Sequence, residues 1–268
     1  MFITSLLAFI LVFFVFFNEL FRIDLKHIRQ SFILAIESFI FNVFLILGSK
    51  EIDPTTTSCV ISSYFLFIPL LEFILYKNLP KINTIIAIIL VLIGIPLIIG
   101  LKLENFNNKR IFFLILADLT ISLNIITIGK FAKGSNPAIL SIGQLFFISL
   151  FSFIFWFTES KINHVSMTLP KEPIFWGSAI YMSFFIRGLY TVVQIYAQRY
   201  IGPLNAALIF SSEIIMTLLL SGIVYQFVFN ESNNEIITIT KLLGSLLMLL
   251  GILINEIDFI SLLKGKSN

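Results

Sequence analysis

The chain has 268 residues, of which 58% are hydrophobic and only 12% are charged, and its mean hydropathy is +1.00. A soluble domain carries about twice that share of charge, so the composition excludes an ordinary soluble protein and indicates one with several membrane spans. The net charge of +3 is spread over many loops and argues against a nucleic-acid partner, while the single cysteine excludes an intramolecular disulfide.

Nine apolar stretches are long enough to cross a bilayer, which takes roughly 20 apolar residues in a helix. Because backbone polar groups must be satisfied inside lipid, the predicted fold class is an all-α polytopic membrane protein with nine transmembrane helices. In chain order the predicted spans are 2–17, 31–48, 56–75, 82–101, 111–129, 137–157, 174–197, 203–226 and 236–255.

Lysine and arginine in the connecting loops predict the orientation of these spans. The segments 18–30, 76–81, 130–136, 198–202 and 256–268 hold ten basic residues, and the alternate loops hold six. The bias places the C-terminal tail, 256–268, in the cytoplasm of a cell-membrane protein. With nine spans it places Met1 outside.

An internal repeat relates the two halves of the chain. After an insertion of residues 227–234 the shift between the copies changes from 149 to 157. The matching landmarks are Pro54 and Pro203, Ser62-Ser63 and Ser211-Ser212, Tyr76 and Tyr225, Ala87 and Gly244, and Gly94 and Gly251. A doubled apolar chain is typical of transporters built from two halves. The small residues of the last two pairs are spaced by seven on one helix face and predict close helix packing.

The two copies predict a domain organisation in which one helix is missing. The first repeat, 1–101, has four spans and the second, 111–255, has five. The counterpart of span 111–129 would precede Met1, and we expect it to be absent through a misplaced start codon, truncation or genuine loss. Restoring it would give a ten-helix architecture in which repeats of five spans have inverted topology.

Charged residues within the spans are the first candidates for a functional site. Arg187 and Glu213 each lie about 15 Å from the loop that joins their helices, so they could pair near the middle of the bilayer. This predicts a substrate-binding or coupling site; a structural ion pair is the alternative. Asp118 and Glu37 lie about two turns into their spans, and either could line a cavity or reach an interface.

Uncharged polar residues form a second group of candidates. Hydrogen bonding between helices explains such residues without a binding role, but their joint presence suits a polar cavity. The substrate-binding candidates in this group are Gln144, Tyr190, Gln194 and Ser212.

Catalytic and metal chemistry is not indicated by any motif. The histidines, His27 and His164, lie in loops, and no zinc-protease, nucleophile-elbow or phosphate-loop pattern occurs. We therefore expect no enzyme activity, no metal and no cofactor.

The stretch 190–213 resembles the EamA family of the drug/metabolite transporter superfamily at the junction of that family's eighth and ninth helices. The residues that carry the resemblance are Gln194, Ala197-Gln198-Arg199, Pro203, Ala206-Ala207 and Ser212-Glu213. Asn136-Pro137, followed by Ser141 and Gln144, is similar to the start of the family's seventh helix.

The resemblance implies a secondary transporter that moves small metabolites, such as amino acids or related solutes, often outward by alternating access. Its partners would be the lipid bilayer, a small solute and a proton or exchanged solute, and it would act as a monomer or homodimer. The alternative is a non-transporting membrane assembly component, or a decayed carrier that has lost its first helix.

Overall fold

The computed structural model describes residues 1–50, 52, 54–77, 82–99, 109–162, 169–203 and 239–256, together with positions 206, 210, 213 and 220. Within them the regular structure is helical. The helices are α1 (Phe2–Val15), a 3₁₀ helix (Phe17–Arg22), α2 (Leu25–Ser49), α3 (Pro54–Ile61), α4 (Tyr64–Tyr76), α5 (Ile82–Ile99), α6 (Lys109–Ala132), α7 (Pro137–Ile162), α8 (Pro173–Tyr181), a π-helical segment (Met182–Leu189), α9 (Tyr190–Gln198) and α10 (Ile239–Glu256).

Four helical stretches in the described ranges are long and apolar enough to cross a membrane. They are Leu25–Ser49, Lys109–Ala132, Pro137–Ile162 and Pro173–Gln198, the last of which joins α8, the π-helical segment and α9. The predicted all-α class is therefore confirmed. The count of nine spans stays a prediction, since span 203–226 lies largely outside the described residues.

The predicted span 56–75 is interrupted in its middle. Helix α3 ends at Ile61, and α4 begins at Tyr64 after a turn at Ser62 and Ser63. The Ser62 hydroxyl donates to the Ser58 carbonyl oxygen at 2.7 Å. Serine hydroxyls that bond to their own helix in this way favour bending, a local effect that overall hydropathy does not register.

Helix α2 begins at Leu25, six residues before the predicted start of its span, because Asp24 caps it. The His27 backbone amide donates to Asp24 Oδ1 at 2.8 Å, which satisfies one of the free amides of the first turn. This hydrogen bond is the main reason why the pKa of the exposed Asp24 carboxyl lies below its usual range.

The described chain divides into two compact units. The first contains Met1–Ile40 and Thr127–Gly202. In it, α1 packs against α7 and the π-helical segment, and α9 packs against α7. Two apolar clusters form its core: Leu34, Ile128, Ala132, Leu140 and Ile195 in one, and Ala8, Val12, Ile142 and Leu145 in the other.

The second unit contains Phe41–Ile126 and Pro203–Asn268. Its principal contact is between α5 and α10, which cross at small residues. A Cβ atom added to Gly94 would lie 2.7 Å from the Gly244 carbonyl oxygen, and one added to Gly251 would lie 3.0 Å from the Ala87 carbonyl oxygen. The predicted packing role of these four small residues is confirmed.

Both units draw residues from both predicted repeats. The compact units are formed by packing, whereas the repeats 1–101 and 111–255 were read from sequence landmarks. The boundaries of the repeats therefore stay a prediction.

Candidate functional site

Four polar residues of the first unit meet between α2, α6 and α7, and we call them the polar cluster. The Thr127 hydroxyl donates to Glu37 Oε1 at 2.9 Å. The Gln144 amide nitrogen donates to the Ser38 hydroxyl oxygen at 2.7 Å. Glu37, Ser38 and Gln144 are buried. The structure thus brings two predicted site residues, Glu37 and Gln144, into one group that spans three helices.

Close packing of α2 on α7 holds the polar cluster in register. The Ser31 hydroxyl donates to the Leu140 carbonyl oxygen at 3.4 Å, two turns of α2 before Ser38. Gly143 faces Ser31, and a Cβ atom at this position would collide with the serine side chain. Only glycine therefore allows α2 and α7 to approach this closely without a shift.

The start of α2 and the α6–α7 connection lie at the same end of the first unit. Two hydrogen bonds of 2.7 Å join them, from Lys26 Nζ to the Gly134 carbonyl oxygen and from Ser135 Oγ to Gln30 Oε1. A third, also of 2.7 Å, runs from Asn136 Nδ2 to Glu19 Oε2 in the 3₁₀ helix that precedes α2. Two loops that the basic residues assign to one side of the membrane, 18–30 and 130–136, are therefore together in the structure.

Two predicted site residues, Arg187 and Tyr190, lie at the end of the π-helical segment and just after it. The Arg187 side chain is half-buried and that of Tyr190 is exposed. Gly188, between them, faces Ala8 and Val12 of α1, with a Cβ position about 4 Å from each. π-Helical turns widen a helix locally and occur frequently at functional sites.

Two buried glutamines one turn apart on α9 extend the polar character of the first unit. Gln194 is a predicted site residue, and Gln198 has no exposed surface. In the described part of the chain, Gln194 Nε2 and both amide atoms of Gln198 have no hydrogen-bond partner. Buried polar atoms normally find a partner, so these atoms are available to a solute or to water.

The remaining candidates belong to the second unit. Asp118 is fully buried in α6, where its Oδ2 accepts a hydrogen bond from Ser63 at 2.5 Å. Glu213 is helical and its side chain is exposed, whereas Ser212 lies outside the described residues. The expected pairing of Arg187 with Glu213 stays a prediction.

The first unit contains a cavity of about 280 Å³ whose lining is apolar. None of the four residues of the polar cluster lines it. Phenylalanine and isoleucine side chains of α1, α2 and α7 form most of its wall, with His27 and Ser31 as its polar members. Among the described residues, its lining includes none of the predicted site residues.

Sequence patterns did not single out Ser38 or Thr127, and they marked Ser63 only as a landmark of the repeat, although all three contact predicted site residues. Serine and threonine are common in membrane helices because their hydroxyls bond to the preceding turn. Only the Ser62-Ser63 repeat landmark marked this group in advance. Which hydroxyl contacts a carboxyl or an amide depends on helix packing, which a single sequence does not reveal.

Comparisons with known proteins give the class of protein to which this fold belongs. A protein of Archaeoglobus fulgidus described as an uncharacterized transporter is 24% identical over 229 residues, which cover 84% of this chain and 68% of the relative. A solved crystal structure matches with a TM-score of 0.67 at 14% identity, covering 95% of this chain and 87% of the other, and shows the fold alone.

Together these findings define a multi-pass membrane transporter of the drug/metabolite type that handles small solutes. The model of the EamA-like transporter family matches residues 108–256, more than half of the chain. The chain belongs to the EamA-like transporter family, which confirms the resemblance drawn from residues 190–213.

Proposed function

We propose that the chain is a secondary active transporter that exports small metabolites, amino acids or related solutes, by alternating access between its two inverted repeats. It would work in the cell membrane with its C-terminus in the cytoplasm. A proton gradient or an exchanged solute would drive it, without nucleotide hydrolysis.

The observation that carries this proposal is the polar cluster. Glu37 lies about 18 Å along α2, close to the middle of a helix about 37 Å long. A carboxyl and an amide at this depth cost free energy in an apolar bilayer, and such groups usually face a substrate or ion path. The unpartnered amide atoms of Gln194 and Gln198 add hydrogen-bonding capacity that fits a solute with amino and carboxyl groups.

Efflux from proteoliposomes tests this function directly. Vesicles loaded with a mixture of radiolabelled amino acids should lose label faster when the protein is in their membrane than protein-free vesicles do. Arg187→Ala, Glu213→Gln and Gln144→Ala should each slow this efflux by about tenfold or more, the loss expected when one buried polar interaction is removed.

Glu159→Gln is the matched control, because Glu159 is exposed near the end of α7 and lies outside the predicted site. It should leave efflux unchanged. If none of the three site variants changed the efflux rate, the site assignment would be wrong. No flux of any amino acid, together with stable co-purification of another membrane protein, would favour the non-transporting assembly component.

A further inference from the structure

A helix break inside the second unit places a serine pair next to α6. Ser62 and Ser63 are buried at the junction of α3 and α4. The Ser63 amide donates to the Val60 carbonyl oxygen at 2.9 Å, and the Leu66 amide donates to the Ser63 carbonyl oxygen at 2.9 Å. These bonds span three residues instead of four, so the chain tightens at this point and can change direction.

Helix α6 is fastened to the break by two side chains one turn apart. Ser63 Oγ donates to Asp118 Oδ2 at 2.5 Å. Ser122 Oγ lies 2.7 Å from the carbonyl oxygen of Tyr64 and 2.7 Å from that of Asp118. Asp118 lies about 14 Å along α6, well inside a helix long enough to cross the membrane. Any change at its carboxyl group therefore acts directly on the α3–α4 junction.

The second carboxyl oxygen of Asp118 makes no hydrogen bond within the described ranges. Asp118 has no exposed surface, and its Oδ1 has no hydrogen-bond partner in the described part of the chain. Neither of the ion pairs among the described residues includes Asp118. A fully buried carboxylate with one hydrogen bond is costly at membrane depth, and binding a cation at Oδ1 removes that cost.

The other charged groups on the helices around Asp118 bond to other partners or lie at least one helical turn from it. Arg110 donates to the Lys50 carbonyl oxygen, and it precedes Asp118 by eight residues, or about 12 Å along α6. Helix α5, which packs against α3 and α4, carries no titratable residue. Besides Asp118, the titratable residues of α3, α4 and α6 are Cys59, Tyr64, Glu72, Tyr76, Lys109, Arg110 and Lys130, and Lys50 directly follows α2.

We propose that Asp118, held through Oδ2 by Ser63 at the α3–α4 break, is a proton-binding site whose occupancy couples solute movement to a proton gradient. The proton comes from water on one side of the membrane and binds Oδ1, which converts the carboxylate into a neutral carboxylic acid. It leaves to water on the other side. The inference rests on the proposed transport function for its role in coupling, whereas proton binding itself does not depend on any solute.

Infrared difference spectroscopy of the full chain in proteoliposomes tests the site without knowledge of the solute. A pH series in choline chloride should show the C=O stretching band of a protonated carboxyl group appear as the pH falls. Asp118→Asn should remove this band. Glu72→Gln, which changes a carboxyl two turns beyond Tyr64 on α4, should retain it.

Ser63→Ala provides a test that keeps the carboxyl. Because the carbonyl oxygen loses its hydrogen-bond donor, the band should persist and move to higher wavenumber. This variant keeps the proposal open to disproof even if Asp118→Asn fails to insert. A band unchanged by Ser63→Ala, a spectrum unaltered by Asp118→Asn, or a band that does not respond to pH would each overturn the proposal.

Two further comparisons separate the outcomes. Loss of the band when sodium chloride replaces choline chloride at fixed pH would overturn the proton as the ligand in favour of a metal cation. A titrating Asp118 band in a protein without solute flux would refute transport and leave the proton site standing. Solute flux in a protein without a titrating Asp118 band would support transport and overturn the proton site.

Discussion

At the scale of single residues, the hydrogen bond between Thr127 and Glu37 is the contact of the polar cluster most easily removed without a change of shape. Thr127→Val deletes the hydroxyl that bonds to Glu37 Oε1. We expect a loss of about 1 kcal/mol in the free energy of unfolding, the magnitude found for hydrogen bonds between membrane helices. Thermal unfolding in detergent should show a lower midpoint for this variant.

Thr158→Val is the matched control, since Thr158 is exposed and bonds to carbonyl oxygens of its own helix. It should shift the midpoint less than Thr127→Val does. Equal shifts would contradict the role of the Thr127–Glu37 contact.

Asp24 provides a prediction about pH at the same scale. Because its pKa is lowered by the amide it caps, its contribution to stability is complete above the ordinary carboxyl pKa of about 4 and is lost as the pH falls through the lowered value. Asp24→Ala should lower the unfolding midpoint at neutral pH. Asp24→Asn should keep the cap and remove this part of the acid dependence. If the unfolding midpoints of Asp24→Asn and of the unmodified protein fell equally as the pH was lowered, this assignment would be contradicted.

At the scale of elements, the crossing of α5 and α10 depends on the absence of a side chain. In Gly94→Ala the new methyl group would meet the Gly244 backbone oxygen at 2.7 Å and Met248 Cγ at 2.8 Å. A backbone atom does not yield as a flexible side chain does, so the helices must separate. We expect a loss of about 1–3 kcal/mol in the free energy of unfolding, measured by chemical denaturation.

Gly177→Ala is the control for this substitution, because nothing lies within 4 Å of a Cβ atom at Gly177 in α8. It should be neutral or slightly stabilising, since alanine is the better helix former. If Gly94→Ala changed the free energy of unfolding as little as Gly177→Ala, the close contact of α5 with α10 would be contradicted.

At the scale of the whole molecule, the structure and the loop charges together predict how the chain crosses the membrane. Single cysteines at Arg22, Lys133 and Lys171 in a Cys59→Ser background should label from only one side each. Arg22 and Lys133 should react with an impermeant maleimide from the cytoplasmic side, and Lys171 from the outside. The reason is that Arg22 and Lys133 flank loops joined by hydrogen bonds, whereas α7, about 39 Å long, separates Lys133 from Lys171.

The two possible failures of this labelling have different meanings. Reaction of Arg22 and Lys133 from opposite sides would contradict the structure of the first unit. Reaction of both from the outside would contradict only the orientation inferred from lysine and arginine counts.

Hydropathy alone predicted the helical class, and the seven-residue spacing of small residues predicted that the helices carrying them pack closely. Both predictions depend on local composition or on short-range spacing, which a single sequence displays. The break at Ser62 and Ser63 and the π-helical segment around Arg187 were not predicted, because mean hydropathy over a window of span length stays high across both and does not register a local change in backbone hydrogen bonding.

The sequence by itself determined that the chain is a helical membrane protein, because burial in lipid imposes length and apolarity on every span. The motif residues of 190–213 pointed to the EamA family by resemblance, and the family model over residues 108–256 confirmed it. Tertiary structure alone decided which polar residues meet. Glu37 contacts Thr127 across 90 positions, and Ser63 contacts Asp118 across 55. Such pairs follow from the angle and register at which helices pack, and these are properties of the assembled helices that no single span encodes.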